Sequence, residues 1–180
     1  MYLIHHNRHR VRDKVRVRTY LDSNLSFCEV KHKSNKGRTH KKRIMVEPIS
    51  NIIENAEAAD FLSENIPYKV ECLRPKLETL FDRVTLVNFE KTERLTIDCN
   101  LCFNNLSNGN SATLAPLAVM ELKQDGRACS YLKEVLAAMR IHPFKISKYC
   151  IGTCLTNREV KQNRFKLKLH RIEKMKLNCL

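Results

Sequence analysis

Alternation is the most regular feature of the chain. In residues 14–20, KVRVRTY, Val15, Val17 and Thr19 interleave with Lys14, Arg16, Arg18 and Tyr20. Period-two alternation over this length predicts a β-strand with two chemically different faces. The pattern recurs at 26–33, 38–46, 83–88, 94–103 and 117–124, which makes six predicted strands. Turn-forming DSN (22–24) and SNKG (34–37) separate the first three, so these predict an antiparallel meander. Three other stretches follow helical spacing. They are 50–65, with Ser50 as candidate cap and Pro67 after the end; 129–141, closed by Pro143; and 159–177, where Val160, Leu167, Leu169, Ile172 and Met175 are scattered among basic residues. The helices interrupt the strands without a βαβ rhythm, which predicts an antiparallel α+β fold.

Charge sharpens the picture. Lys14, Arg16, Arg18 and Tyr20 share one face of the first strand; Glu29, Lys31 and Lys33 share one face of the second, opposite Cys28 and Val30; and Lys41 and Arg43 share one on the third. Arg83 and Thr85 oppose Val84 and Leu86; Arg94, Thr96, Asp98 and Asn100 oppose Leu95, Ile97 and Leu101; Glu121 and Lys123 oppose Met120 and Leu122. The whole chain holds 33 Lys and Arg against 19 Asp and Glu, a net charge of +14 over 180 residues. Like charges side by side across strands destabilise a sheet unless a bound anion or interleaved carboxylates compensate. The predicted arrangement therefore has helices covering the apolar faces and the cations lining a barrel interior or deep cleft built for a polyanion. Arg suits that task because its fork takes phosphate oxygens two at a time.

Other classes lose ground. No run of about 18 apolar residues predicts a transmembrane helix, and the His- and Arg-rich start has no apolar segment of a signal peptide. The eight cysteines follow no disulfide framework and read as thiols. Cys99 and Cys102, in CNLC, fall in a strand where an i,i+3 pair points to opposite faces, so they are not assigned to zinc. His5, His6 and His9 lack a carboxylate or thiol partner nearby and read as solvated.

KVRVRTY, FCEVKHKSNKGRTHKKRI, ERLTID, LAVMELKQDG and HPFKISKYCIG, in that order, resemble the VTC domain. This is the polyphosphate polymerase domain of the vacuolar transporter chaperone family, within the CYTH-like triphosphate tunnel metalloenzymes. The resemblance runs over nearly the whole chain. It implies an antiparallel eight-stranded barrel with a basic tunnel, helices outside, and a tunnel domain over residues 1–152 followed by a basic helix over 153–180. The family's two strands ahead of KVRVR have no counterpart, so six of eight strands are expected and the N-terminus reads as truncated.

The activity implied is transfer of the ATP γ-phosphate to polyphosphate, with Mn²⁺ or Mg²⁺ as cofactor. Position by position, the resemblance implies phosphate contacts from Arg16, Arg18, Lys31, Lys41, Arg43, Arg83, Arg94, Lys123, Lys145, Ser147 and Lys148. Arg16, Arg18, Lys31, Arg83 and Lys148 are the catalytic candidates, and Glu121 is the metal ligand. Phosphoryl transfer rests on positioning and charge neutralisation, which these residue types supply. Glu121 pairing with an arginine is the rival reading; Glu29 and Asp98 read as ion-pair partners, Lys33 and Lys42 as solvated lysines, Tyr20 and Tyr149 as packing residues. The partners implied are polyphosphate, ATP or inorganic triphosphate, in a cytoplasmic, bacterial-type soluble domain. A polyphosphate- or triphosphate-binding module without turnover, or a triphosphatase, is the alternative function. Nucleic-acid binding is weaker, because the basic strands lack interleaved aromatics for base stacking. The Lys-rich terminal helix could also rest on an anionic membrane surface, though its apolar residues make no clean stripe.

Overall fold

The computed structural model describes residues 1–47, 55–126 and 130–179, which divide into two compact units, Met1–Lys76 and Leu77–Leu180. The first unit runs α1 (Tyr2–His6), β1 (Arg12–Tyr20), β2 (Leu25–Lys33), β3 (Thr39–Val46), α2 (Ala56–Asn65) and a 3-10 turn at Val70–Cys72. The strands form an antiparallel sheet in the order β1-β2-β3, as the two turn signals predict. Asn24 turns the first corner at φ +50°. Gly37 turns the second at φ +80°, its amide donating to the Ser34 carbonyl at 3.1 Å.

Asn55 caps α2, its side-chain oxygen accepting the Ala58 amide at 2.8 Å. The expected start at Ser50 lies outside the described residues. Ala58, Leu62, Ile66 and Val70 close over Cys28, Val30 and Val46. This sheet thus has the expected division, one face under a helix and the other basic. His6 departs from expectation. It is buried, packed 6.2 Å from the Tyr2 ring, with Nδ1 3.0 Å from Asn7 Oδ1. A one-turn helix places Tyr2 and His6 on the same side.

In the second unit β4 (Leu77–Val87), β5 (Glu93–Asn105), β6 (Ser111–Thr113) and β7 (Val119–Gln124) precede α3 (Tyr131–Ala138), α4 (Lys148–Thr156) and α5 (Lys166–Leu177). β5 is central: β4 pairs along one side, β6 and β7 along the other. Among the described residues seven strands are therefore present where alternation predicts six; β6, three residues long, is too short to show a period. Among the described residues the strands make two open antiparallel sheets and no closed barrel, with β1 and β3 at the edges of one and β4 and β7 at edges of the other.

A bulge in β5 changes which residues share a face. Leu80 pairs with Cys102 and Asp82 with Cys99, so Asn100 and Leu101 together stand opposite Phe81. Asn100 takes φ +52°, a conformation Asn tolerates better than most residues. The extra residue moves Leu101 and Phe103 to the side of Asp98, against the uninterrupted alternation expected there. It also puts Cys99 and Cys102 on one side instead of two. The seven described cysteines Cys28, Cys72, Cys99, Cys102, Cys150, Cys154 and Cys179 are free thiols.

Leu101, Phe103, Leu114, Ile151 and Ile172 form the second core, bordered by Leu77, Phe81, Leu117, Val119, Leu169 and Met175. α4, which no periodicity signals, lies on β5 so closely that a Cβ on Gly152 would come within 2.7 Å of Phe103 Cγ and 2.8 Å of Leu77 Cδ2. The terminal helix packs its Leu169, Ile172 and Met175 on this core. The helices of this unit therefore cover one end of the face that carries Asp98. On the opposite face Val84, Leu86 and Met120 stay exposed, where cover by helices was expected.

Candidate functional site

The basic face of the first sheet is a lattice set by register. Arg16 pairs with Glu29 and Glu29 with Arg43; Lys14 pairs with Lys31 and Lys31 with Lys41; Arg18 pairs with Phe27. Glu29 sits at the centre, 1% exposed. Arg16 Nε donates to its Oε2 at 2.5 Å, and Lys41 Nζ holds its other oxygen. Burial raises the carboxyl's pKa, but the hydrogen bonds from Lys41 and Arg16, with their charges, outweigh burial and hold it at about 2. Glu29 is thus an anion at any physiological pH. It fixes two cations in place and leaves the cluster with a net positive charge.

Two aromatic rings complete the face. Arg43 stacks on Phe27 at 4.8 Å, and Arg18 donates to the Tyr20 hydroxyl at 3.1 Å. That hydrogen bond lowers the phenol below its ordinary value. Tyr20 is exposed and engaged with Arg18, not a buried packing residue. The stacking role of Phe27 was not apparent from the sequence, although a phenylalanine in phase with Glu29 and Lys31 is a signal in itself.

The second unit repeats the device with other residues. Register puts three rows on one face: Arg83, Asp98 and Val119; Thr85, Thr96 and Glu121; Val87, Arg94 and Lys123. Asp98 is 2% exposed. It takes Arg83 through both oxygens, Nε at 2.5 Å and Nη2 at 2.7 Å, and also binds Lys148 Nζ. Lys148 lies over the Phe81 ring at 3.9 Å, and Arg83 at 5.1 Å from the same ring. Phe81 escapes sequence reading because alternation first becomes clean at Arg83, six residues after the strand starts.

Lys148 reaches Asp98 because it opens α4. Ser147 caps that helix, its hydroxyl accepting the Cys150 amide at 3.4 Å. Lys145 is exposed, and its carbonyl accepts Lys168 Nζ at 2.5 Å. Glu121 is half-exposed, with Lys123 Nζ 3.6 Å from Oε1. The rival arginine partner for Glu121 does not occur among the described residues.

Of the predicted residues, Arg16, Arg18, Lys31, Lys41 and Arg43 therefore share one face of the first unit, and Arg83, Arg94, Glu121 and Lys123 one face of the second, with Lys148 reaching it from α4. Ser147 is taken up in capping. Glu29 and Asp98 are ion-pair partners, as expected. Among the described residues no group of three His, Cys, Asp or Glu side chains is arranged to hold a metal by itself. Glu121 is a single carboxylate with Lys123 at its side and Thr96 opposite it in register, so a cation held there would take water and phosphate oxygens as its other ligands. No helix among the described residues is long and apolar enough to cross a membrane.

No curated protein and no solved structure matches the chain at the significance required. The sequence model of the VTC domain matches residues 1–157, and that span contains both basic faces and their buried carboxylates. On that match, which covers well over half of its length, the chain belongs to the VTC domain family.

Proposed function

We propose that the chain is a polyphosphate-polymerase-type domain, which binds the phosphates of ATP and of polyphosphate on its basic faces and passes the ATP γ-phosphate to the end of the polymer. The observation that carries the reading is the register of the first sheet. Lys14, Lys31 and Lys41 lie in one row and Arg16 and Arg43 in the next, with one buried carboxylate between them. Glu29 holds Arg16 and Lys41, and the face as a whole keeps a net positive charge around it. An extended chain of phosphates, with one negative charge or more per unit, matches the face in sign. Family membership supports the chemistry of transfer, and the basic faces support the binding.

In the reaction a terminal phosphate oxygen of the polymer attacks the γ-phosphorus, the bond to the β,γ-bridging oxygen breaks, and ADP leaves. On the face of the first unit Arg16, Arg18 and Lys31 bind phosphate oxygens; on the face of the second Arg83 does so, with Lys148 adding charge beside it. Mg²⁺ or Mn²⁺ held by Glu121 would neutralise charge on the transferring group. Glu29 and Asp98 position their cations and do not meet the substrate.

A second reading, a binding module without turnover, has its own support. Arg16, Lys41, Arg83 and Lys148 already have carboxylate partners, and Glu121 stands as a single carboxylate beside a lysine. Calorimetric titration with triphosphate and medium-length polyphosphate, then incubation with ATP and Mn²⁺ and electrophoresis of the product, separates the two. Arg16→Ala plus Arg18→Ala removes two charged contacts and is expected to weaken binding at least a hundredfold. Binding with polymer formed supports the polymerase. Binding without polymer supports the module. A folded chain that binds neither anion refutes both.

A further inference from the structure

We infer that the outer face of α5 is a docking surface for an anionic lipid bilayer. The helix lies beyond the residues that match the VTC domain, so the family's shared chemistry does not account for it. Its inner side is fully explained: Leu169, Ile172 and Met175 enter the core. Lys168 Nζ donates to the Lys145 carbonyl at 2.5 Å and Lys176 Nζ to the Thr113 carbonyl at 3.0 Å, which fixes the helix to its unit and fixes which side faces out.

The outer side carries Lys166, His170, Arg171 and Lys174, all exposed, with Glu173 the one acid in the helix. Arg171 is held at the surface by stacking on Phe144 at 5.0 Å. Lys174 near the C-terminus complements the helix dipole, which is reason enough for one cation but not for the set. Among these cations stand Leu167, 85% exposed, and Leu177, 67% exposed.

The leucines decide the partner. A soluble polyanion would satisfy the cations and leave both leucines in water. The surface of an anionic bilayer takes both, the cations at the headgroups and the leucines below them. The two leucines are ten residues apart, about 15 Å along the axis, so both insert only when the helix lies flat on the surface. The cations then face the same plane. Nucleic acid would call for aromatic side chains among the cations, and on the helix this face has only His170.

This inference does not rest on the phosphate reading of the strand faces, and its test is separate. Full-length chain is co-sedimented at about 0.1 M salt with large unilamellar vesicles of phosphatidylcholine alone, or with roughly 30 mol% phosphatidylserine. The chain is expected to sediment with the phosphatidylserine vesicles and to stay in solution with the neutral ones. Lys166→Gln plus Lys174→Gln should weaken partitioning about thirtyfold, and Leu167→Ser plus Leu177→Ser about tenfold. All four positions are on the surface, and an unchanged melting curve verifies the fold. Three results overturn the inference. The first is no retention of the chain by phosphatidylserine vesicles. The second is wild-type binding by the serine variant, which leaves a face for soluble polyanions. The third is wild-type binding by both α5 variants with binding lost in Arg16→Ala plus Arg18→Ala, which would place the lipid contact on the first sheet.

Discussion

Glu29 shows how one side chain organises a basic face. A charge 1% exposed is costly unless it is fully paired, and Arg16 and Lys41 pair it from the strands on either side. Held at about 2 against an ordinary 4.5, the carboxyl binds its proton more weakly in the folded chain than in the unfolded one. Its contribution is therefore complete above about pH 4.5 and is lost as the pH falls through about 2, a change on the order of 3 kcal/mol. Glu29→Gln leaves two cations beside a neutral amide. Their side chains are 28% and 36% exposed and turn partly to water, so the expected loss at pH 7 is about 2 kcal/mol, below the range for wholly buried pairs. Urea unfolding of both proteins across the acid range tests this. The variant's stability should fall less steeply with acid than the wild type's, and an unchanged acid slope would assign the titration to another group. Alternation alone places Glu29 among cations and suggests an ion pair. It does not reveal that Arg16 and Lys41 meet on it, because that depends on the register of two strand pairs.

At the scale of elements, the β5 bulge and α4 are the features the sequence hides. One residue, Asn100, shifts the phase of the strand, so a face that begins with Arg94, Thr96 and Asp98 continues with Leu101 and Phe103. Alternation carried straight through that point assigns Leu101 to the wrong side. Nothing in Asn-Leu marks a bulge more strongly than it marks a strand. α4 is hidden for a different reason: KYCIGTCLT has a glycine at its centre and little amphipathic contrast, since five of its nine residues are buried. That glycine is there for packing. Gly152→Ala must push Phe103 or Leu77 aside, and overpacking of this kind costs about 2 kcal/mol in spite of alanine's better helix propensity. Chemical denaturation should show a lower midpoint with an unchanged slope. A midpoint at or above wild type would mean that the core yields at no cost. Because α4 also delivers Lys148 to Asp98, the substitution should disturb the second basic face as well as the stability.

The whole molecule carries +14, spread over two units that each hold cations around a buried carboxylate. The family was legible from the sequence because its motifs are runs of strand residues whose order and spacing survive in one dimension. The pairing of strands into sheets was legible only where short turns join neighbours, as in β1-β2-β3. The pairing of β7 with β5 skips over β6, a contact that alternation does not encode. A chain so charged is stabilised by whatever anion its native state binds, and a ligand at a hundred times its dissociation constant adds about 2.7 kcal/mol. For a unit of roughly 100 residues that raises the melting point on the order of 10 °C. If the two units melt separately, Glu29→Gln marks the transition of Met1–Lys76 and Gly152→Ala that of Leu77–Leu180. If Arg16, Arg18, Lys31, Lys41 and Arg43 hold phosphate on one unit, and Arg83, Arg94 and Lys123 on the other, triphosphate raises both transitions, while chloride at equal ionic strength gives only the smaller effect of screening. A rise confined to the transition marked by Glu29 would confine phosphate binding to the first sheet and leave Arg83 and Lys148 as structural partners of Asp98. No rise in either would remove the polyanion from the account and leave Glu29 and Asp98 as the anions that these cations serve.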